Sequence, residues 1–90
     1  VGYIAEGPYL YEENGNIVLL WSTYTETGYT VVKSVSRSGI YGEYVFEKIV
    51  FRKDGGHCMC FTDLTGKRYL TFHQPNRTPD ERMKLFLFEG

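Results

Sequence analysis

Apolar and aromatic residues along the chain fall into short runs separated by breaks rich in Gly, Asn and Asp. Residues 7–13 (GPYLYEE) and 16–24 (NIVLLWSTY) flank Asn14-Gly15. Asn-Gly between two such runs is the strongest short-range hairpin signal, because both turn residues tolerate positive φ. Residues 25–28 (TETG) break the pattern before a third run, 29–37 (YTVVKSVSR), which Ser38-Gly39 ends. The stretch 42–52 contains YVFEKIVF, whose aromatic and β-branched residues favour a fourth strand over a short helix. Lys53-Asp54-Gly55-Gly56 interrupts the chain again. Then come HCMCFTD (57–63), the turn residues 64–67, RYLTFHQ (68–74), a polar connection at 75–81 and a seventh run, RMKLFLFE (82–89). The pattern predicts an all-β chain of antiparallel meanders.

The two halves of the chain repeat one another. Gly7 matches Gly56, Gly15 matches Gly66, Leu19 matches Leu70 and Trp21 matches Phe72, at offsets of 49, 51, 51 and 51. A period of about 50 residues holding about four strands is the signature of a β-propeller blade. A seven-stranded sandwich built from unrelated hairpins is the competing arrangement. On the propeller reading one blade covers about residues 7–52, and a partial blade, lacking its fourth strand, covers about 56–90. Propellers need at least about four blades, so this length is expected to be a portion of one domain. Uncovered faces and unpaired sheet edges are then expected to drive self-association.

Charge and composition narrow the partners. Ten Lys and Arg against eleven Asp and Glu leave a net charge of −1, without the basic footprint of a nucleic-acid binder. No apolar run approaches the roughly 18 residues of a membrane-spanning helix, so neither nucleic acid nor membrane is an expected partner. Cys58 and Cys60 are separated by Met59 alone. A strand places both on one face, where near neighbours rarely bridge, and two thiols fall short of the four ligands of a structural zinc. Buried packing is their expected role, which leaves the redox compartment open.

Glu6 stands at the entry of the first strand, beside Gly7-Pro8, and Gly55-Gly56-His57 occupies the corresponding place in the second half. Taken singly, Glu6 reads as a solvated carboxylate and His57 as a hydrogen-bonded loop histidine. In adjacent blades, however, equivalent positions converge on one axis. Trp21, Tyr24 and Tyr29 offer ring faces suited to sugars, although packing is the better account of Trp21, whose counterpart is Phe72. Asn76-Arg77-Thr78 has the form of a glycosylation acceptor, and Asp80-Glu81-Arg82 reads as a solvated connection.

The ordered series Glu6-Gly7-Pro8-Tyr9-Leu10-Tyr11, Leu19-Leu20-Trp21-Ser22, Gly28-Tyr29, Asp54-Gly55-Gly56-His57 and His73-Gln74-Pro75-Asn76 resembles the C-terminal part of the catalytic domain of glycoside hydrolase family 43. The resemblance runs from Glu6 to about Glu89. It implies a five-bladed β-propeller and an inverting hydrolase of arabinose- or xylose-containing polysaccharides, similar to arabinofuranosidases, arabinanases and xylosidases. It implies that Glu6 is the general acid that protonates the departing glycosidic oxygen. It further implies that His57 is a candidate ligand of a metal ion, often calcium, held directly or through water. Two departures stand out: Cys58 follows His57 where the family commonly has Gly, and Gln74 replaces Ser in the segment resembling His-Ser-Pro-Asn. His73 is expected to pack at a strand end.

An inverting glycosidase also needs a base carboxylate about 6.5–9.5 Å from the acid. The aspartates present, Asp54, Asp63 and Asp80, do not sit in the motifs that carry the family's base or its acid-tuning aspartate. The chain alone is therefore expected to be inactive. A stand-alone carbohydrate-binding β-domain, with Tyr9, Tyr11 and Trp21 as a stacking platform, is the alternative from a different functional class. A propeller-type interaction array is a third, but it leaves Glu6 and the Gly-Gly-His segment unexplained.

Overall fold

Seven strands and no helix make up the described part of the computed structural model, residues 4–26 and 28–88. The first sheet is a meander of β1 (Glu6–Glu13), β2 (Asn16–Thr25), β3 (Gly28–Ser36) and β4 (Val45–Phe51), in that spatial order. The second is β5 (Gly56–Thr62), β6 (Arg68–Gln74) and β7 (Arg82–Leu87), again in chain order. All neighbouring strands are antiparallel. The Asn14-Gly15 turn has φ of 54° and 81°, the two positive values a tight primed turn demands. The turn between β5 and β6 is held by Asp63, whose Oδ1 accepts from Thr65 N, Lys67 N and Thr65 Oγ1. The stretch around YVFEKIVF pairs along β3 as a strand, with two register irregularities.

Between the sheets lies one apolar layer. Val18, Leu20 and Val31 of the first sheet meet Cys58, Leu70, Phe72 and Phe88 of the second, with Tyr9, Tyr11, Val50, Phe51 and Cys60 packed around them. Phe51 of β4 reaches across to Phe72, ring centroids 4.3 Å apart. Cys58 and Cys60 share this face as free thiols, as the alternation required. Burial pushes Cys58 up to about 12 and raises Cys60 as well.

The orientation of the repeat separates a propeller from a sandwich. Leu70 and Phe72 face the first sheet. Their counterparts Leu19 and Trp21 alternate with Val18 and Leu20, so strand periodicity puts them on the side of β2 that faces away from the second sheet. Equivalent side chains thus point in the same rotational sense in both sheets, as in successive blades. In a two-fold sandwich they would face each other. The chain forms two successive antiparallel propeller blades.

The register refines the repeat. Glu6 pairs with Ser22 and Tyr9 with Leu20, with a bulge between them; Gly56 pairs with His73 and Met59 with Thr71, with a bulge at the same place. Glu6 is therefore equivalent to Gly56 and Gly7 to His57, at an offset of 50. The match of Gly7 with Gly56 expected from sequence is off by one residue, because the bulge lets a glycine slide by one position without changing the hydrophobic pattern.

Among the described residues nothing covers the outer face of the second sheet. Met59 and Leu85 flank Thr71, and Phe61 and Leu87 flank Tyr69. Met59, Phe61, Met83, Leu85 and Leu87 are all exposed.

Candidate functional site

The two bulges bring the starts of β1 and β5 together. Gly7 and His57 each adopt left-handed φ, 58° and 55°, and a Cβ on Gly7 would lie 3.1 Å from His57 Cα. At position 7 the dihedral favours glycine and the close approach to His57 adds to that preference. His57 donates its backbone N–H to Ser22 Oγ at 2.9 Å, fixing the start of β5 on β2.

Tyr29, at the start of β3, lies between the acid and the histidine. Its hydroxyl donates to Glu6 Oε2 at 2.5 Å and lies 2.7 Å from His57 Nδ1; His57 Nδ1 and Glu6 Oε2 are 3.9 Å apart. A phenol has one proton. With that proton on the Glu6 bond, His57 Nδ1 must be the donor to the phenol oxygen, and the neutral imidazole then carries its free lone pair on Nε2. Burial, and next the bond to Glu6, raise the Tyr29 phenol well above its ordinary value, so it stays protonated as a donor.

The loop before β5 fixes Tyr29. Asp54 Oδ1 accepts Tyr29 N at 3.1 Å, and Asp54 Oδ2 accepts Asn76 N at 3.2 Å. Gly55 N donates to Tyr29 O at 3.0 Å. A Cβ on Gly56 would come within 2.4 Å of Tyr29 Cε2 and 2.9 Å of Ser22 Oγ, so glycine at 56 is what allows the tyrosine to sit under the histidine. The Tyr29 ring lies 5.0 Å from Tyr24, 6.1 Å from His57 and 5.8 Å from His73. Asn76 Nδ2 donates to the Tyr24 hydroxyl.

The residues singled out from sequence thus divide. Glu6 and His57 come together, both partly exposed at the side chain. His73 packs at the end of β6 as expected, 5.9 Å from the His57 ring, but its Nδ1 is buried without a hydrogen bond among the described residues. Tyr24 stays exposed beside Tyr29. Trp21 is half-buried on the far face, its Nε1 donating to Ser34 Oγ at 3.1 Å. Tyr9 and Tyr11 lie on the opposite, inner face, and Tyr9 Oη bonds to Cys60 O. These three rings therefore do not form one platform, because strand alternation divides them between two faces.

The bridging role of Tyr29 and the clamp made by Asp54 are not readable from sequence, where Tyr29 reads only as a ring surface. The one available signal is the Gly-Gly pair before His57, which marks a close approach without naming what approaches.

Among the described residues no three His, Cys, Asp or Glu side chains gather as a metal group. With Nδ1 donating to Tyr29, the Nε2 of His57 would be the nitrogen left for a metal ion. Calcium takes about six to eight oxygen ligands, however, and these residues do not supply them.

No protein-family profile matches the chain, and no curated protein matches it. Among solved structures it is similar to the endo-arabinase from Bacteroides thetaiotaomicron VPI-5482, with 30% identity and a TM-score of 0.86 over 94% of this chain. The chain spans 31% of the length of that structure. Its fold is arabinanase-like.

Proposed function

We propose that this chain is the acid-bearing portion of an inverting glycoside hydrolase of family 43, in a five-bladed propeller domain, acting on arabinose- or xylose-containing polysaccharides or oligosaccharides, with arabinose-containing chains favoured by the endo-arabinase likeness. The observation that carries the reading is the convergence of Glu6, Tyr29 and His57 from the starts of β1, β3 and β5, in a fold similar to an endo-arabinase.

In this reading Glu6 is the general acid. Its proton passes to the glycosidic oxygen as the anomeric C–O bond breaks, and the bonding electron pair leaves with that oxygen. Water adds to the anomeric carbon from the opposite face and gives up a proton to a base carboxylate. In this proposal that base comes from outside this chain, since the aspartates present are engaged elsewhere. Asp54 is committed to the backbone amides of Tyr29 and Asn76, Asp63 to its own turn, and Asp80 to Arg77 at 3.0 Å. The chain by itself is accordingly proposed to be inactive. A calcium ion enters the reading only as a hydrated ion to which His57 offers one nitrogen, and no step runs through it.

The test is hydrolysis of linear arabinan by the naturally encoded protein that carries this chain, as wild type and as Glu6→Gln. Removing a general acid is expected to lower kcat by about 10²–10⁴-fold with near-UV circular dichroism unchanged. Full turnover by the variant overturns the assignment.

A further inference from the structure

The inference drawn here rests on the reading of Glu6 as the acid. We infer that Tyr29 is a positioning residue for that acid: its hydroxyl selects Oε1 as the oxygen that carries the transferable proton and holds the carboxyl plane in place.

A neutral carboxyl group has one protonated oxygen and one carbonyl oxygen. The Tyr29 hydroxyl donates to Oε2, which makes Oε2 the carbonyl oxygen and leaves the proton to Oε1. Oε1 has no hydrogen bond among the described residues, and the Glu6 side chain is 43% exposed, so Oε1 is the oxygen that a glycosidic bond can approach. Glu χ3 is a broad, roughly two-fold torsion. Without the phenol the two oxygens exchange freely, and the proton spends part of its time on the wrong side of the group.

The phenol is suited to this because it is held from several sides. Tyr29 is fully buried, its backbone N–H and C=O are both bonded by the Asp54-Gly55 loop, and its ring is packed by Tyr24, His57 and His73. His57 supplies the second restraint. Its Nδ1 lies 2.7 Å from the phenol oxygen, and in the tautomer that donates from Nδ1 the single phenol proton is left to Glu6. Fixing a carboxyl through a buried phenol is a matter of preorganisation, whose loss shows in the chemical step more than in substrate binding.

A double-mutant cycle in the naturally encoded protein tests this, with kcat and KM on arabino-oligosaccharide for wild type, Tyr29→Phe, Glu6→Gln and the double variant. Tyr29→Phe keeps the ring and its packing. It is expected to lower kcat about 10-fold to 100-fold with KM changed less than about twofold, and to cost nothing further in the Glu6→Gln background, because it acts through Glu6. An equal loss in both backgrounds overturns the inference while leaving Glu6 as the acid. An active Glu6→Gln overturns both. A second measurement needs no variant: the Tyr29 hydroxyl proton of the wild-type protein should give a slowly exchanging, downfield NMR signal with a cross-peak to the Glu6 side chain, and rapid exchange without that cross-peak contradicts the inference.

Discussion

Gly7 and His57 occupy the same bulge position in successive blades, with φ of 58° and 55°, so that one blade uses a glycine where the next places an imidazole in the same strained backbone. A non-glycine residue in left-handed geometry costs roughly 1–2 kcal/mol. The two positions should therefore respond in opposite ways. Gly7→Ala is expected to lose about 1–3 kcal/mol, from the dihedral and from contact with His57 Cα. His57→Gly removes a hydrogen bond but also relieves strain, and is expected to leave stability within about 1 kcal/mol of wild type. Urea unfolding of both variants checks this. A His57→Gly variant that is much less stable than Gly7→Ala would show that the histidine is held for folding.

Most of the strand layout was legible because this chain signals locally. Asn14-Gly15 demands a hairpin, Cys58 and Cys60 must share a face, and Val45–Phe51 carries the residue types of a strand. What sequence left open was which face meets which. The repeat offsets pointed to propeller blades but left a sandwich open, and the opposed directions of Trp21 and Phe72 relative to the shared core are those of successive blades. At the site, Glu6 and His57 were found through motif order, whereas Tyr29 was not. Its bond to Glu6 spans 23 residues and its bond to His57 spans 28. No local spacing encodes such contacts; they follow from the way Asp54, Gly55 and Gly56 close one blade against the next.

Alkaline pH should destabilise the chain. Burial drives the Cys58 thiol from 9.0 up to about 12 and is the main cause that takes the Tyr11 phenol from 10.0 to about 12. Both groups are raised on folding, so their contribution is fully present below the unfolded values and is lost as pH rises through the folded ones. The urea midpoint is expected to stay level to about pH 9 and to fall between about pH 9 and 12. In parallel, Cys58 should alkylate about a thousandfold more slowly at pH 8 when folded than in urea, following its thiolate fraction. Rapid alkylation of folded protein would contradict the burial of this thiol.

Among the described residues the face carrying Met59, Phe61, Met83, Leu85 and Leu87 lies open beside an unpaired edge of β7, and both features promote association. A second copy of the chain is the expected occupant. Sedimentation of the 90-residue chain should show a concentration-dependent dimer or larger species, and Leu85→Lys should shift it toward monomer. A clean monomer at micromolar concentration for the unaltered chain would argue that this face needs no cover.

The assignment of Glu6 is tested most directly by leaving-group dependence in the naturally encoded protein. A general acid matters only where the departing oxygen needs a proton. For Glu6→Gln, turnover of arabino-oligosaccharide should fall by about 10²–10⁴-fold, while an arabinofuranoside with a dinitrophenolate leaving group should be cleaved at close to the wild-type rate. Equal losses on both substrates, or none on either, would contradict the account.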